Sequence, residues 1–197
     1  MKDPQLYLAS SSPRRRELLS QLGLTYRVLD VDVDEARQGQ ESPQDHIRRL
    51  AVLKARSGLR QLPADNGLPV LGADTVVLID DEVLGKPRDR EDGIRMLQRL
   101  SGRTHQVLSA VAVAGKRVEV RTNISSVSFR ALQAGECAAY WDTGEPADKA
   151  GAYAIQGIAA IFVTRLEGSY SAVMGLPLAE TADLLRGNGI DILSGHE

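Results

Sequence analysis

The stretch PVLGADTVVLID, residues 69–80, constrains this chain more than any other. It is an almost continuous apolar run with a β-branched centre, the pattern of a central strand buried on both faces. Such a strand demands a layer of structure on each side. One residue breaks the pattern. Asp74 is a carboxylate in an apolar strand, and that costs several kcal/mol unless it is paired, hydrogen-bonded or bound to a cation. The structural alternative is a strand bend opened by Gly72, with Asp74 capping neighbouring backbone.

The segments around this strand alternate. QLYLA (5–9) reads as a short buried strand. A helix follows, with Ser12 as its cap, Pro13 at its first position and Gly23 just past its end. A second strand is expected over 26–33, then a polar stretch. A helix capped by Ser42 and opened by Pro43 comes next, with Ile47, Leu50, Ala51, Leu53 and Ala55 at helical spacing. After the central strand, DDEVLGKPRD gives a turn and a short edge segment, and a helix spans Asp89 to Leu100. HQVLSAVAVAG and KRVEVRTNISSVSFR form an antiparallel pair joined by an AGK turn. A helix near 132–142, a glycine-bearing loop to Gly157, a strand over 158–168 and a terminal helix near 175–186 complete the reading. Strands alternating with helices, followed by a hairpin, give an α/β class with a mixed, twisted sheet. No repeat or low-complexity linker divides the 197 residues, so a single domain, 1–197, is expected.

Composition narrows the chemistry. The net charge of −2 leaves no basic excess for a general polyanion binder, so any phosphate binding must be local. Few aromatics are available for base stacking, which argues against a nucleic-acid partner. The lone cysteine, Cys137, excludes an internal disulfide framework and fits a reducing compartment. His46, His105 and His196 lie far apart, without metal-type spacing, and read as solvent-facing or structural. The start MKDPQ leads directly into a strand, and no apolar run reaches membrane-spanning length, so a cytoplasmic protein without signal peptide or membrane partner is expected. There is no phosphate-binding G-x-x-x-x-G-K-[ST] loop, no G-x-S-x-G and no plausible Ser/His/Asp set.

Local basic charge appears where a helix least favours it. Arg14, Arg15 and Arg16 occupy the first turn after Ser12-Pro13, at the positive end of the helix dipole, where each misplaced cation costs roughly 0.3–1 kcal/mol. A serine run leading into a helix N-terminus is a ready anion site, and guanidinium groups add bidentate contacts to phosphate. Bound anion would turn the conflict into stabilisation. Arg16 reads more simply as part of a solvated face beside Glu17. Glu35 lies in an acidic run with Asp30, Asp32 and Asp34, most of which reads as solvated loop. Lys54 and Lys86 read individually as surface residues. Taken together, carboxylates suited to a hard divalent cation plus arginines and lysines form the set that nucleotide phosphate chemistry uses.

LASSSPRRRELL, LGADTVV, GKPRD, LSGRTHQV, DKAGAYAIQG and GSYSAVMGLPL, in this order, resemble the Maf family of nucleoside triphosphate pyrophosphatases. The resemblance runs from about residue 5 to 185. It implies a cytoplasmic, metal-dependent enzyme that splits a nucleoside triphosphate into monophosphate and pyrophosphate. It also implies a fold similar to inosine triphosphate pyrophosphatases, with helices flanking a mixed sheet and two lobes around a cleft. By motif, Asp74 matches the proton-accepting aspartate, and Arg14 and Arg15 match the SPRR arginines. Ser10 and Ser12 line the same loop, while Glu35, Lys54 and Lys86 match positions around metal and phosphates. The implied cofactor is Mg²⁺ or Mn²⁺, with Glu35 and Asp74 as ligands. Thr75 and Gln156 resemble the branch acting on dTTP and UTP rather than 7-methyl-GTP. A homodimer is one option for the assembly. The alternative from another class is a nucleotide-binding regulator of cell division without turnover.

Overall fold

The computed structural model describes residues 3–193. Its strands are β1 (Leu6–Ala9), β2 (Tyr26–Leu29), β3 (Val70–Ile79), β4 (Glu82–Leu84), β5 (Thr104–Ala114), β6 (Val118–Phe129) and β7 (Val163–Glu167). Its α-helices are α1 (Pro13–Gln21), α2 (Pro43–Leu59), α3 (Arg90–Leu100), α4 (Ala134–Asp142), α5 (Tyr170–Met174) and α6 (Leu178–Gly187). The strands form one 7-stranded sheet in the order β2-β1-β3-β5-β6-β7, with β4 paired to β3. β1 runs parallel to both β2 and β3, whereas β4 is antiparallel to β3 and β7 to β6. The sheet is therefore mixed, and the α/β class stands. By contact density the chain divides into two compact units. The first comprises Met1–Asp74, Ser109–Asn123 and Gly175–Glu197, and the second comprises Thr75–Leu108 and Ile124–Met174.

In the first unit, the parallel pairing of β1 with β2 requires a crossover, which α1 supplies. Leu6, Leu8 and Leu71 from the sheet and Leu18, Leu19, Ile47 and Leu50 from the helices are fully buried. Two glycines decide how α2 lies on the sheet. A Cβ on Gly72 of β3 would fall 2.5 Å from the Ala51 carbonyl oxygen and the Ala55 nitrogen, and one on Gly58 of α2 would meet Val70 at 2.9 Å. Helix and strand thus meet almost backbone to backbone. Gly72 is a contact point within a regular strand, not the bend considered as an alternative for Asp74.

In the second unit, Asp80 and Asp81 take positive φ of 51° and 60° at the β3–β4 turn, the geometry of a tight two-residue hairpin. Asp89 caps α3 by accepting the Asp92 N–H at 2.8 Å. His105, Phe129 and Tyr153 pack edge to face, with ring centroids 4.9–5.4 Å apart. Residues 115–117, which belong to the first unit, join β5 and β6, a connection too short for anything but an antiparallel pair.

Three segments differ from the sequence reading. β2 ends at Leu29 rather than near residue 33, because its partner β1 ends at Ala9, and beyond that register no ladder remains. Residues 158–162 form a 3-10 turn, and only 163–167 form a strand. The Glu145 carboxylate accepts the Ile158 and Ala159 N–H groups, which takes those donors from a ladder. The terminal helix begins at Leu178 rather than near 175, and a short helix, α5, that the sequence reading did not expect precedes it; Gly175, at φ 120°, and Pro177, which lacks a donor, separate the two. Of the two readings open for the histidines, burial selects the structural one for His46 and His105, and His196 lies outside the described residues.

Candidate active site

The contact between Gly72 and α2 also sets the chemistry. Asp74 lies two residues beyond Gly72, on the same face of β3. Lys54 lies between Ala51 and Ala55, the residues that touch Gly72. The close approach brings the Lys54 ammonium to 2.8 Å from Asp74 Oδ1. Lys54 also reaches Glu35 Oε1 at 2.6 Å. The Lys54 and Asp74 side chains are 12% and 11% exposed, and Glu35 is 56% exposed. One lysine therefore orders two carboxylates, one inside the strand and one on the irregular segment after β2. Asp74 does not cap backbone, and Lys54 is not a surface residue.

The serine–arginine loop belongs to the same unit. Ser10 is buried, and its Oγ accepts the Ser12 N–H at 3.2 Å and an Arg15 Nη1–H at 3.2 Å. Arg15 Nε donates to the Gly175 carbonyl at 2.8 Å. Ser12 occupies the cap position of α1, but its hydroxyl makes no cap bond. The N-terminal turn is held by Pro13 and by the Ser10 bond instead. No acidic residue stands in the first turn of α1. Burial pushes the Arg15 guanidinium below its ordinary value; Asp74 opposes this, neighbouring Arg14 adds to it, and Glu35 opposes it. The field around Arg15 thus comes from the residues singled out in the sequence. Arg16 is exposed and donates to the Ser11 carbonyl at 2.7 Å, in keeping with a solvated role.

Three of the expected residues lie in the second unit. Thr75 follows Asp74 on β3 and is half-buried. Lys86 is exposed after β4, and Gln156 is exposed on the turn closed by the Gly157 N–H to Ala154 carbonyl bond of 3.0 Å. A further cluster escaped the sequence reading. Arg49 of α2 donates to Glu41 at 2.7 and 3.0 Å and to the Ala36 carbonyl at 2.9 Å, tying down the segment that carries Glu35. Hydrogen bonds from Arg49 hold the Glu41 carboxyl well below the usual range, the Gln38 N–H adds to this, burial opposes it, and His46 contributes further. Its signal in the sequence was the i,i+3 pair His46/Arg49 on a helix rising from Glu41.

Glu35 and Asp74 offer hard oxygen donors, each bound to Lys54 through one oxygen. No group of three or more His, Cys, Asp or Glu residues with metal-binding geometry occurs among the described residues. A protein that supplies only one or two carboxylates suits Mg²⁺, which keeps several waters and takes further ligands from substrate phosphates. The donor set fits that ion, and Mn²⁺ shares the preference.

A mixed α/β chain that sets serine–arginine anion donors beside lysine-ordered carboxylates has the donors to hold a phosphate and its counter-cation together. The chain belongs to the Maf-like protein family, whose model matches residues 5–188. It is 57% identical over 185 residues to a dTTP/UTP pyrophosphatase of Alkalilimnicola ehrlichii, covering 92% of each chain. It is 53% identical over 181 residues to the dTTP/UTP pyrophosphatase of Escherichia coli O157:H7, covering 91% of each. Among solved structures, the Ham1 protein of Staphylococcus aureus overlays with a TM-score of 0.46 and 16% identity, over 63% of this chain and 71% of that one. No described helix is long and apolar enough to cross a membrane.

Proposed function

We propose that this chain hydrolyses nucleoside triphosphates to the monophosphate and pyrophosphate, with dTTP and UTP favoured, and that it works as a single domain in the cytoplasm. The observation that carries the reading is the Lys54-centred pair of carboxylates in the same unit as the Ser10–Arg15 loop. The high identity to relatives named dTTP/UTP pyrophosphatase supports the substrate class. A family match spanning both units supports one domain, and the lone cysteine supports a reducing compartment.

In this reading water attacks the α-phosphorus. A P–O bond forms there, the bond to the bridging oxygen breaks, and pyrophosphate leaves with the electron pair. Asp74 orients the water and accepts its proton. Lys54 holds Asp74 and Glu35 in register, so the base is placed before substrate arrives. Arg14, Arg15 and Lys86 neutralise charge on the leaving pyrophosphate, and Ser10 and Ser12 contribute polar contacts from the loop. A divalent cation held by Glu35 and Asp74 would supply Lewis-acid stabilisation of the phosphate oxygens. Thr75 and Gln156 face the base. A carboxamide can meet the N–H and one carbonyl of uracil or thymine together.

Pyrophosphate release from dTTP, UTP, CTP, ATP, GTP and 7-methyl-GTP, with and without EDTA, tests the reading. We expect dTTP and UTP to lead and EDTA to abolish turnover. Release from none of them would overturn the enzyme in favour of a non-hydrolysing binder, and a lead for 7-methyl-GTP would overturn the pyrimidine preference alone.

A further inference from the structure

Gln156 sits on the turn Ala154–Gly157 with its side chain exposed, while neighbouring Ile155 is buried. An amide that discriminates bases must be held in one orientation, because a flipped carboxamide suits cytosine equally well. The flanks of this turn are held by one relay, buried at Tyr140 and half-buried at Glu145. The Tyr140 hydroxyl, from α4, accepts the Ala154 N–H at 3.1 Å on the near side. The same hydroxyl donates to Glu145 Oε1 at 2.6 Å. Glu145 in turn accepts the Ile158 N–H at 3.0 Å and the Ala159 N–H at 3.4 Å on the far side. A Cβ on Gly157 would fall 2.2 Å from Glu145 Oε2, so the turn lies directly against the carboxylate.

We infer that Tyr140 and Glu145 are specificity-positioning residues: a hydroxyl–carboxylate clamp that grips both flanks of the turn and fixes the direction in which Gln156 is presented. The inference rests on the reading that Gln156 contacts the base. Supporting chemistry comes from the clamp itself. Burial, and then the Glu145 carboxylate, push the Tyr140 phenol far above its ordinary value, so it stays a neutral donor throughout the working range. For Glu145, burial acts to raise the carboxyl, but the Tyr140 hydroxyl and the two backbone N–H groups outweigh it and hold it low. The clamp lies wholly within the second unit, whereas Asp74 and Lys54 belong to the first.

The test compares kcat/KM for dTTP and CTP in the full-length wild type, Tyr140→Phe, Glu145→Gln and Gln156→Ala. Gln156→Ala should collapse the dTTP preference. Tyr140→Phe should lower the dTTP-to-CTP ratio by at least about tenfold while moving the CTP value little, because a loosened amide loses selectivity before it loses chemistry. Glu145→Gln should act in the same direction, since one oxygen acceptor becomes a donor facing N–H groups. It carries the test alone if Tyr140→Phe does not fold. A collapse in Gln156→Ala with an unchanged ratio, or an equal loss on both nucleotides, in the clamp variants would overturn the clamp and leave the base-reading role standing. An intact preference in Gln156→Ala would overturn that role, and the clamp with it.

Discussion

Lys54 is the residue on which most of the site depends, since it binds both Glu35 and Asp74. Asp74→Asn preserves shape and leaves Lys54 its bond to Glu35. The variant should fold, lose about 1–3 kcal/mol with the weakened buried pair, and lose at least ~10²-fold in kcat as the proton acceptor disappears. Turnover near wild type in a folded Asp74→Asn would place the base elsewhere. The two arginines should separate in experiment. Arg15 is fastened to Ser10 and to the Gly175 carbonyl, so Arg15→Ala should lower both stability and nucleotide affinity. Arg14→Ala should weaken triphosphate binding with thermal stability unchanged or raised, because a cation leaves the positive end of α1. Melting curves with and without a non-hydrolysable triphosphate read both effects, since saturating ligand stabilises by mass action, about 2.7 kcal/mol at a hundredfold excess over Kd. Arg14→Ala melting far below wild type while binding normally would make it structural.

Among the elements, the α2–β3 contact joins fold to function. Gly72→Ala inserts a methyl group into a space bounded by the Ala51 carbonyl and the Ala55 nitrogen, both 2.5 Å away and both backbone. Neither can rotate aside, so the helix must move. Overpacking of this kind costs about 3 kcal/mol, a fall in Tm of roughly 6–12 °C for a chain of this size. The displacement also draws Lys54 from Asp74, so kcat should fall in the fraction that remains folded; calorimetry and steady-state rates check the pair of effects. Unchanged stability would mean that helix and strand are not in backbone contact. Elements bounded by local chemistry were legible in the sequence: α1 by Pro13 and Gly23, α2 by Ser42 and Pro43, and α3 by Asp89. Those whose ends are set by a distant partner were not. β2 stops where β1 stops, and residues 158–162 curl because Glu145 takes their donors.

At the scale of the whole molecule, the buried His105 makes folding depend on pH. Its Nε2 pairs with the Tyr153 hydroxyl at 2.8 Å, its Nδ1 has no partner among the described residues, and burial lowers it from 6.5 to about 4. Between those values the unfolded chain binds a proton that the folded one does not, so stability falls as pH drops from about 6.5 to about 4 and is insensitive to this group above. The loss is on the order of 3 kcal/mol. Acid denaturation followed by circular dichroism should show that His105→Gln flattens this window, and an unchanged slope would assign the acid sensitivity to other groups. What the sequence determined by itself was the set of local conflicts and local signals: an acid in an apolar strand, cations at a helix start, caps and breakers at their proper offsets. These require only neighbours along the chain, and they marked Asp74, Arg14 and Arg15 directly. Tertiary structure alone decided which conflict resolves which. That Lys54 answers Asp74 and that Tyr140 and Glu145 grip the turn of Gln156 depend on contacts between segments that no spacing rule connects. Lone lysines and tyrosines carry no local signature, and their roles appear only when packing takes them out of water and fixes their partners.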